Sequence, residues 1–348
     1  MVARIGTFVA VDPVDALRRI AYRLEAEGAA TYKVRAFRRA AATVAELPPG
    51  RVEELARTKR LTTLPGVGET TATALSEALA GGEPAYLRQL IGRADPAPTG
   101  PAAALRAELR GDCHSHSDWS DGGSPIREMA EAARDLGHDY LALTDHSPRL
   151  TVAHGLDPTR LRQQLEVVAA LNVELAPFRI LTGIEVDILE DGSLDQQEAL
   201  LARLDVVVAS VHSKLSMEPA AMTRRMVAAV ESPHTDILGH CTGRKLVGRG
   251  RPPSRFDPEA VFGACARTGT AVEINSRPER RDPPEALLRH ALDLGCLVSV
   301  DTDAHAPGQL EWLPHGCQQA VEADTPTDRV VNAWPLPKVL DWSAGHAA

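Results

Sequence analysis

The 348-residue sequence has no apolar run that approaches the ~20 residues needed to cross a bilayer. Its opening stretch, MVARIGTFVAVDPVDALRR, is only briefly apolar before a carboxylate appears, and it does not read as a secretory signal. There is no CxxC pair: Cys113, Cys241, Cys265, Cys296 and Cys317 are scattered, and an odd count cannot form a complete disulfide framework. These absences exclude a membrane span, a small disulfide scaffold and a paired-cysteine zinc site. They point to a cytoplasmic protein with free thiols. No short repeat and no low-complexity segment occur.

Charge is spread unevenly along the chain. The net charge of −9 resolves into about +3 for residues 1–91 and about −12 for the remainder. Residues 12–91 read as helices. Asp12-Pro13 is an N-cap with proline in the first turn, and Ala16, Leu17, Ile20, Ala21 and Leu24 share one face of a helix over 14–27. Helices are expected over 32–47, 52–58 and from the Leu64-Pro65-Gly66-Val67-Gly68 turn to Leu79. Residues 92–104, rich in Pro, Gly and Ala, read as a linker.

Beyond the linker, in residues 105–348, strand-like apolar runs alternate with helical patterns, the signature of βα units around a parallel sheet. Seven runs are expected: 106–116, 139–146, 179–187, 205–212, 236–240, 270–275 and 297–305. Each ends in residues able to bind metal or phosphate: His114 and His116, Asp145-His146, Glu185, His212, His240, Glu273 and Asn275, then Asp303 and His305. In a barrel of parallel strands these C-terminal ends form one rim, so residues distant in sequence converge. His114 and His116, like Asp303 and His305, are two apart and face one side of a strand.

With Asp121, the candidate ligands are His114, His116, Asp121, His146, Glu185, His212, His240, Asp303 and His305. Imidazole with carboxylate suits Zn²⁺, Mn²⁺ or Fe²⁺. A mononuclear catalytic zinc uses about three protein ligands, so nine candidates imply two to three divalent transition-metal ions. Such a cluster hydrolyses phosphate esters without a nucleophilic Ser or Cys. A cationic segment follows the fifth run: Arg244, Lys245, Arg249, Arg251 and Arg255, with Asn275, Arg277 and Arg280 after the sixth and Lys214 after the fourth. These are candidate phosphate contacts, because guanidinium forks match phosphate oxygens. Cys113 and Cys241 flank ligand histidines but face the opposite way, as packing residues. His138, His154, His234, His290, His315 and His346 read as structural or surface residues.

The ordered set HSHSDWSDG, LTDHS, GIEVDIL, SVHSKLS, DILGHCTGR, EINSRPERRD and DTDAH resembles the successive motifs of the PHP domain (polymerase and histidinol phosphatase). It is most similar to the PHP domain fused to bacterial family X DNA polymerases. The resemblance implies a distorted (β/α)7 barrel. It places His114, His116, Glu185 and Asp303 on one ion, has Glu185 bridge to a second held by His212 and His240, and puts Asp121, His146 and His305 on the third. His114, His116, Glu185, Asp303 and His305 would then be the catalytic set.

Leu64–Gly68 together with TYKVRAFRRAAATV resembles the N-terminal helix-hairpin-helix domain of the same polymerases, an all-helical DNA-backbone grip. Lys33, Arg35, Arg38 and Arg39, with Gly66 and Gly68, are the expected DNA contacts. The polymerase palm is missing, so no polymerisation is expected. The lysine that some relatives use for lyase chemistry is replaced at Ala74. The leading expectation is a metal-dependent DNA phosphodiesterase, a 3′→5′ exonuclease or repair end processor. The alternative is a small-molecule phosphatase of the histidinol-phosphatase type.

Overall fold

The computed structural model describes residues 12–94 and 98–347. The apolar opening of the chain, residues 1–11, lies outside the described residues. The chain divides into two compact units, 1–96 and 97–348.

The first unit is helical. Its helices are α1 (Pro13–Ala26), α2 (Thr31–Ala45), α3 (Arg51–Arg57), α4 (Glu69–Leu79) and α5 (Ala85–Ile91). Asp12 caps α1 by accepting from the Asp15 amide at 2.8 Å, and all five apolar residues expected on its inner face are buried. Leu17, Ile20, Ala21 and Leu24 pack with Val34, Phe37, Leu55, Leu75, Leu87 and Leu90 into one core. The short helix α5 has no counterpart in the sequence pattern. Only Leu87 and Leu90 of its seven residues are buried, too few to show a period.

In the second unit, α6 (Gly100–Glu108) precedes β1 (Gly111–Ser115). The expected linker therefore ends early and the first expected strand starts late. Gly100-Pro101 looks like linker chemistry, but Pro101 sits in the first turn of a helix, followed by strong helix formers. Ala102 and Leu105 bury themselves in a cluster with Leu313 and Cys317.

The remaining strands are β2 (Tyr140–Leu143), β3 (Arg179–Asp187), β4 (Val206–Ser210), β5 (Ile237–Leu238), β6 (Ala271–Asn275) and β7 (Val298–Asp301). They fall inside the seven expected runs. Between and after them lie α7 (Ile126–Asp135), α8 (Pro158–Leu175), α9 (Glu198–Leu201), α10 (Pro219–Val230), α11 (Pro258–Thr268), α12 (Glu285–Asp293), α13 (Leu313–Glu322) and α14 (Leu336–Ala344). All strands are parallel and pair in chain order, the simplest product of repeated right-handed βα units.

The inward faces are layered. Tyr140, Ala142, Leu181, Val206, Val208, Ile237 and Ala271 pack together, with Val331, Trp334 and Val339 closing the end where the strands begin. The same period-two faces continue towards the strand ends as polar residues: Leu181 is followed by Glu185, Val208 by His212, Ala271 by Glu273. The apolar floor excludes water, and the polar layer above it forms the site.

The barrel is nearly closed, and the seam between β1 and β7 is stitched by side chains rather than by a ladder. Asn332 donates to the carbonyls of Gly111 at 3.0 Å and Val300 at 2.6 Å, and accepts from the Val300 amide at 3.1 Å. Asp301 accepts from the Cys113 amide at 2.7 Å, and Asp112 accepts from the Thr302 amide at 3.2 Å. Direct contact returns at the rim, where the His116 amide donates to the Ala304 carbonyl at 2.8 Å. Asn332 is fully buried. Orphaned buried groups cost about 1–3 kcal/mol each, so Asn332→Ala should lower unfolding stability by roughly 2–4 kcal/mol. Denaturant titration checks this. An unchanged midpoint would show that the seam does not depend on Asn332.

Candidate metal centre

The nine candidate ligands, dispersed from His114 to His305, meet around one point. Five imidazoles form a closed circuit of ring contacts: His114 to His116 at 5.2 Å, His116 to His146 at 4.4 Å, His146 to His212 at 5.2 Å, His212 to His240 at 5.3 Å and His240 back to His114 at 6.0 Å. His305 lies against His116 at 4.1 Å. Glu185 sits inside the circuit. Its Oε1 is 2.9 Å from His240 Nε2 and 3.2 Å from His212 Nε2. Its Oε2 is 2.9 Å from His146 Nδ1, 3.4 Å from His114 Nε2 and 3.6 Å from His116 Nε2.

Three sets of donor atoms are close enough to share an ion: His114, His116 and Glu185; His146, Glu185 and His212; and His116, Asp121, His146 and His305. Asp303 joins the first, with Oδ1 3.4 Å from His116 Nε2. His240 joins the second through Glu185.

The donor chemistry fits metal. His114 Nε2, both nitrogens of His116, His146 Nδ1, Glu185 Oε2 and His240 Nδ1 are buried without a hydrogen-bond partner. His146 Nδ1 and Glu185 Oε2 are near one another yet misaligned for a hydrogen bond. That is the arrangement of two donors aimed at a common centre, and leaving so many polar atoms orphaned would otherwise cost several kcal/mol. Burial, then His305 and His146, push the His116 pKa well below its ordinary value, which favours the neutral ring with one nitrogen lone pair to offer. Burial alone would raise Glu185, but His212, His114 and His146 outweigh it and hold the carboxylate well below its usual range. Asp303 is likewise held down against its burial by Arg277 and His114.

A second layer of carboxylates and carbonyls fixes the rings. Glu273 Oε1 is 2.6 Å from His114 Nδ1, and its Oε2 accepts from the His240 amide. Asp187 Oδ1 is 2.6 Å from His212 Nδ1. The Asp303 carbonyl is 2.9 Å from His305 Nδ1. In His114, His212 and His305 the Nδ1 contact leaves Nε2 facing inward. Asp145 is no ligand. It accepts from Ser117 N at 2.8 Å, Ser117 Oγ at 2.6 Å, Ser120 Oγ at 2.5 Å and Gln164 Nε2 at 2.6 Å, and so anchors the loop that presents Asp121. Asp303 itself has φ +52°, a left-handed conformation that turns its carboxylate into the centre. Sequence reasoning passed over Asp187 and the role of Asp145. The spacing Glu185-Val-Asp187 carries the same two-residue signal as His114 and His116, and could have revealed the first.

Several expected phosphate contacts are placed otherwise. Asn275 is fully buried, its amide 3.2 Å from Asp303 Oδ2 and 3.3 Å from Glu273 Oε2, so it positions the ligand layer rather than meeting substrate. Arg244 spends its guanidinium on the carbonyls of Arg280 and Arg281. Arg251 donates to the Gly243 carbonyl at 2.6 Å. Lys245 and Arg249 are exposed, as are Arg255 and Lys214. Arg277 donates to the Asp303 carbonyl at 2.9 Å and stacks on Trp312. Arg280 Nε approaches Asp303 Oδ2 to 3.4 Å, but Nε and Nη1 make no hydrogen bond.

Cys113 and Cys241 are buried free thiols. His138 contacts Arg106, His290 faces Glu259, and His346 bonds Asp236. None of the three touches the centre.

In the helical unit, Gly66 has φ +77°, and a Cβ there would lie 2.6 Å from the Arg39 side chain. The left-handed turn favours glycine, and the Arg39 stem lies across it. The Gly68 amide donates to Thr71 Oγ1 at 2.9 Å. Lys33, Arg35 and Arg39 are exposed. Arg38 departs from expectation, because its Nε is 2.6 Å from buried Glu25 and it serves the fold.

Comparison with known proteins agrees with this geometry. Residues 112–240 match the family model of the PHP domain, and residues 11–84 that of the helix-hairpin-helix domain. The barrel is a PHP domain, preceded by a helix-hairpin-helix domain. The DNA polymerase/3′-5′ exonuclease PolX of Bacillus subtilis is 41% identical over 232 residues, which are 67% of this chain but 40% of that protein. The chain thus spans well under half the length of that relative. A probable phosphatase of Thermoanaerobacter sp. is 28% identical over 233 residues, 64% of this chain and 89% of its own. Another, from Syntrophotalea carbinolica, is 28% identical over 250 residues, 69% of this chain and 97% of its own. The zinc-containing histidinol phosphate phosphatase of Lactococcus lactis superposes with a TM-score of 0.45 at 18% identity, covering 63% of this chain and 95% of that one, too distant a likeness to speak to substrate. With a PHP barrel and its metal-binding donor set, the chain is a metal-dependent phosphoesterase.

Two substitutions separate ligand from support. Glu185→Gln should abolish hydrolysis and metal retention together, since one carboxylate faces two donor sets. Glu273→Gln should keep the fold and weaken metal affinity by about 10–100-fold, the usual consequence of losing an orienting partner. Metal titration with a competing chelator reads both. Wild-type affinity in the Glu273 variant would remove its orienting role.

Proposed function

We propose that this phosphoesterase hydrolyses DNA phosphodiesters, as a 3′→5′ exonuclease or a repair-type end processor without polymerase activity. The observation that carries the reading is the helix-hairpin-helix domain on the same chain as the PHP barrel, since a small-metabolite phosphatase has no use for a DNA grip. The 41% identity to a relative named for 3′-5′ exonuclease activity supports it. So does the exposure of Lys33, Arg35 and Arg39 on α2, with Arg39 lying beside the Gly66 turn. No helix among the described residues is long and apolar enough to cross a membrane, and with five free thiols the cytoplasm is the fitting compartment.

The barrel would hold two to three divalent ions, Zn, Mn or Fe. His114, His116, Glu185 and Asp303 take one, Glu185 with His212 and His240 a second, and Asp121, His146 and His305 a third, with His116 and His146 each near two sets. Bound ions of this kind polarise a phosphoryl oxygen and supply a water acidic enough to act near neutral pH. The chain's part is orientation. Glu273 and Asp187 hold imidazole tautomers, and Asn275 and Arg277 lock Asp303. Arg280, with guanidinium donors unspent beside Asp303, is placed to meet a phosphoryl oxygen.

The small-molecule phosphatase reading rests on the probable phosphatases, which share the barrel and are spanned over 89% and 97% of their length. One side-by-side assay decides. Protein purified without chelator should carry two to three transition-metal equivalents by elemental analysis. With Mn²⁺ it should degrade labelled single-stranded DNA or incise abasic duplex at rates far above its turnover of histidinol phosphate. Rapid monoester hydrolysis with intact DNA would transfer the assignment to the phosphatase.

A further inference from the structure

Between β5 and α11 the chain forms a small hairpin that the ligand geometry does not use. Its base is a two-way backbone bridge, Lys245 N to Arg251 O and Arg251 N to Lys245 O, both 2.9 Å. The turn closes through Gly250 N to Val247 O at 3.1 Å, with Gly248 and Gly250 at φ +68° and +63°. Arg251 Nε ties the base to Gly243, and Leu246 N donates to Glu279 O at 2.7 Å. That second tie joins the hairpin to the segment whose Arg277 holds Asp303. The hairpin is thus built onto the rim, starting five residues past His240.

Its tip presents two adjacent aliphatic side chains to solvent, Leu246 at 53% and Val247 at 61% exposure. Other exposed aliphatics in this unit, such as Val152 and Val173, stand singly, which is ordinary. A fixed apolar pair flanked by cations is different. Lys245, Arg249 and Arg251 lie on the hairpin, and Arg280 and Arg277 lie behind it. Partial burial of its stem first, then the charges of Arg280, Arg251 and Arg277, lower the Lys245 pKa, so the cations crowd one another, and Glu279 opposes them. Concentrated positive charge around an apolar point complements a polymer with phosphates spaced along it and flat apolar faces between them. A phosphomonoester would cover the cations and leave the tip in water.

We propose that Leu246 and Val247 pack against the face of an unstacked nucleobase next to the phosphodiester being cleaved, while Lys245 and Arg249 take the flanking phosphates. The inference rests on the DNA reading and gives it a base-contacting element. Apolar wedges beside phosphate-binding cations serve this purpose elsewhere in nucleic-acid recognition, and base stacking is tolerant of sequence.

The test uses the full-length metal-loaded enzyme and the double substitution L246S/V247S. Two single-stranded oligonucleotides of one length are compared, one ordinary and one with abasic sites at the three terminal nucleotides, alongside a small chromogenic phosphodiester. Wild type should prefer the ordinary strand, and the variant should raise its KM about tenfold, while KM for the abasic strand and metal content stay put. A fluorescent 2-aminopurine at the terminus should lose its binding-induced change in the variant. If the variant cleaves both strands as wild type does, the tip is not a base contact although the DNA reading stands. If wild type hydrolyses the chromogenic ester but neither strand, the DNA reading fails and the tip proposal with it. A variant with KM raised equally on both strands would assign the tip to shaping the loop rather than to contacting a base.

Discussion

Glu185 is a buried carboxylate ringed by imidazoles, and most of the barrel can be read as what is needed to keep it there. A carboxylate removed from water is strongly disfavoured unless positive charge or donors surround it. Here His212, His114 and His146 more than offset burial. The same imidazoles could not be crowded together without an acceptor among them, since cationic rings repel and neutral ones orphan their nitrogens. Carboxylate and rings are mutually conditional, and bound metal would satisfy both, giving a lone pair of His116 and the free oxygen of Glu185 something to bind.

That constraint propagates outward in layers. Of the rings that face Glu185 through Nε2, His114 and His212 have their Nδ1 held, by Glu273 and Asp187, both at 2.6 Å. Glu273 needs placing in turn, and Asn275 and the His240 amide place it. At the β1–β7 seam, Asp112, Asp301 and Asn332 replace the missing ladder with buried polar bonds. A seam closed by side chains lets β1 turn its last residues inward, where Ser115 and His116 meet Ala304. The distortion of the barrel and the crowding of ligands at its rim therefore have one origin.

How much of this was legible depends on where the information resides. Strand ends were readable because parallel strands concentrate chemistry at one end, and His-x-His and Asp-x-His spacings declare a shared face. The layer behind the ligands was not, because Asp187, Asp145 and Asn332 acquire meaning only through partners distant in sequence: Asp145 and Gln164 are 19 residues apart, Asn332 and Gly111 221. Arg38 and Arg244 looked like phosphate contacts by composition. An arginine's choice between solvent and a nearby acceptor depends on what tertiary structure offers, and Glu25 and the Arg280 and Arg281 carbonyls were offered. The early start of α6 was hidden because Gly-Pro signals a linker and a helix N-terminus alike.

The rim is also electrostatically lopsided. The loops after β5 and β6 carry Arg244, Lys245, Arg249, Arg251, Arg277, Arg280 and Arg281, whereas the end of β3 and the loop after it carry Asp187, Glu190, Asp191 and Asp195. Arg277 and Arg280 act directly on the candidate ligand Asp303, so the cationic side is continuous with the centre rather than a separate solvated patch. An anion approaching the acidic loop meets repulsion before it meets metal. One approaching over β5 and β6 meets fixed guanidinium donors first, and field lines in such a cleft focus it inward. On the DNA reading proposed above, the same arginines that hold Asp303 in place would also set the direction of substrate approach. On that proposed reading, a polyanion entering there would run along the Lys245–Arg251 hairpin, whose base is tied to the segment that holds Asp303.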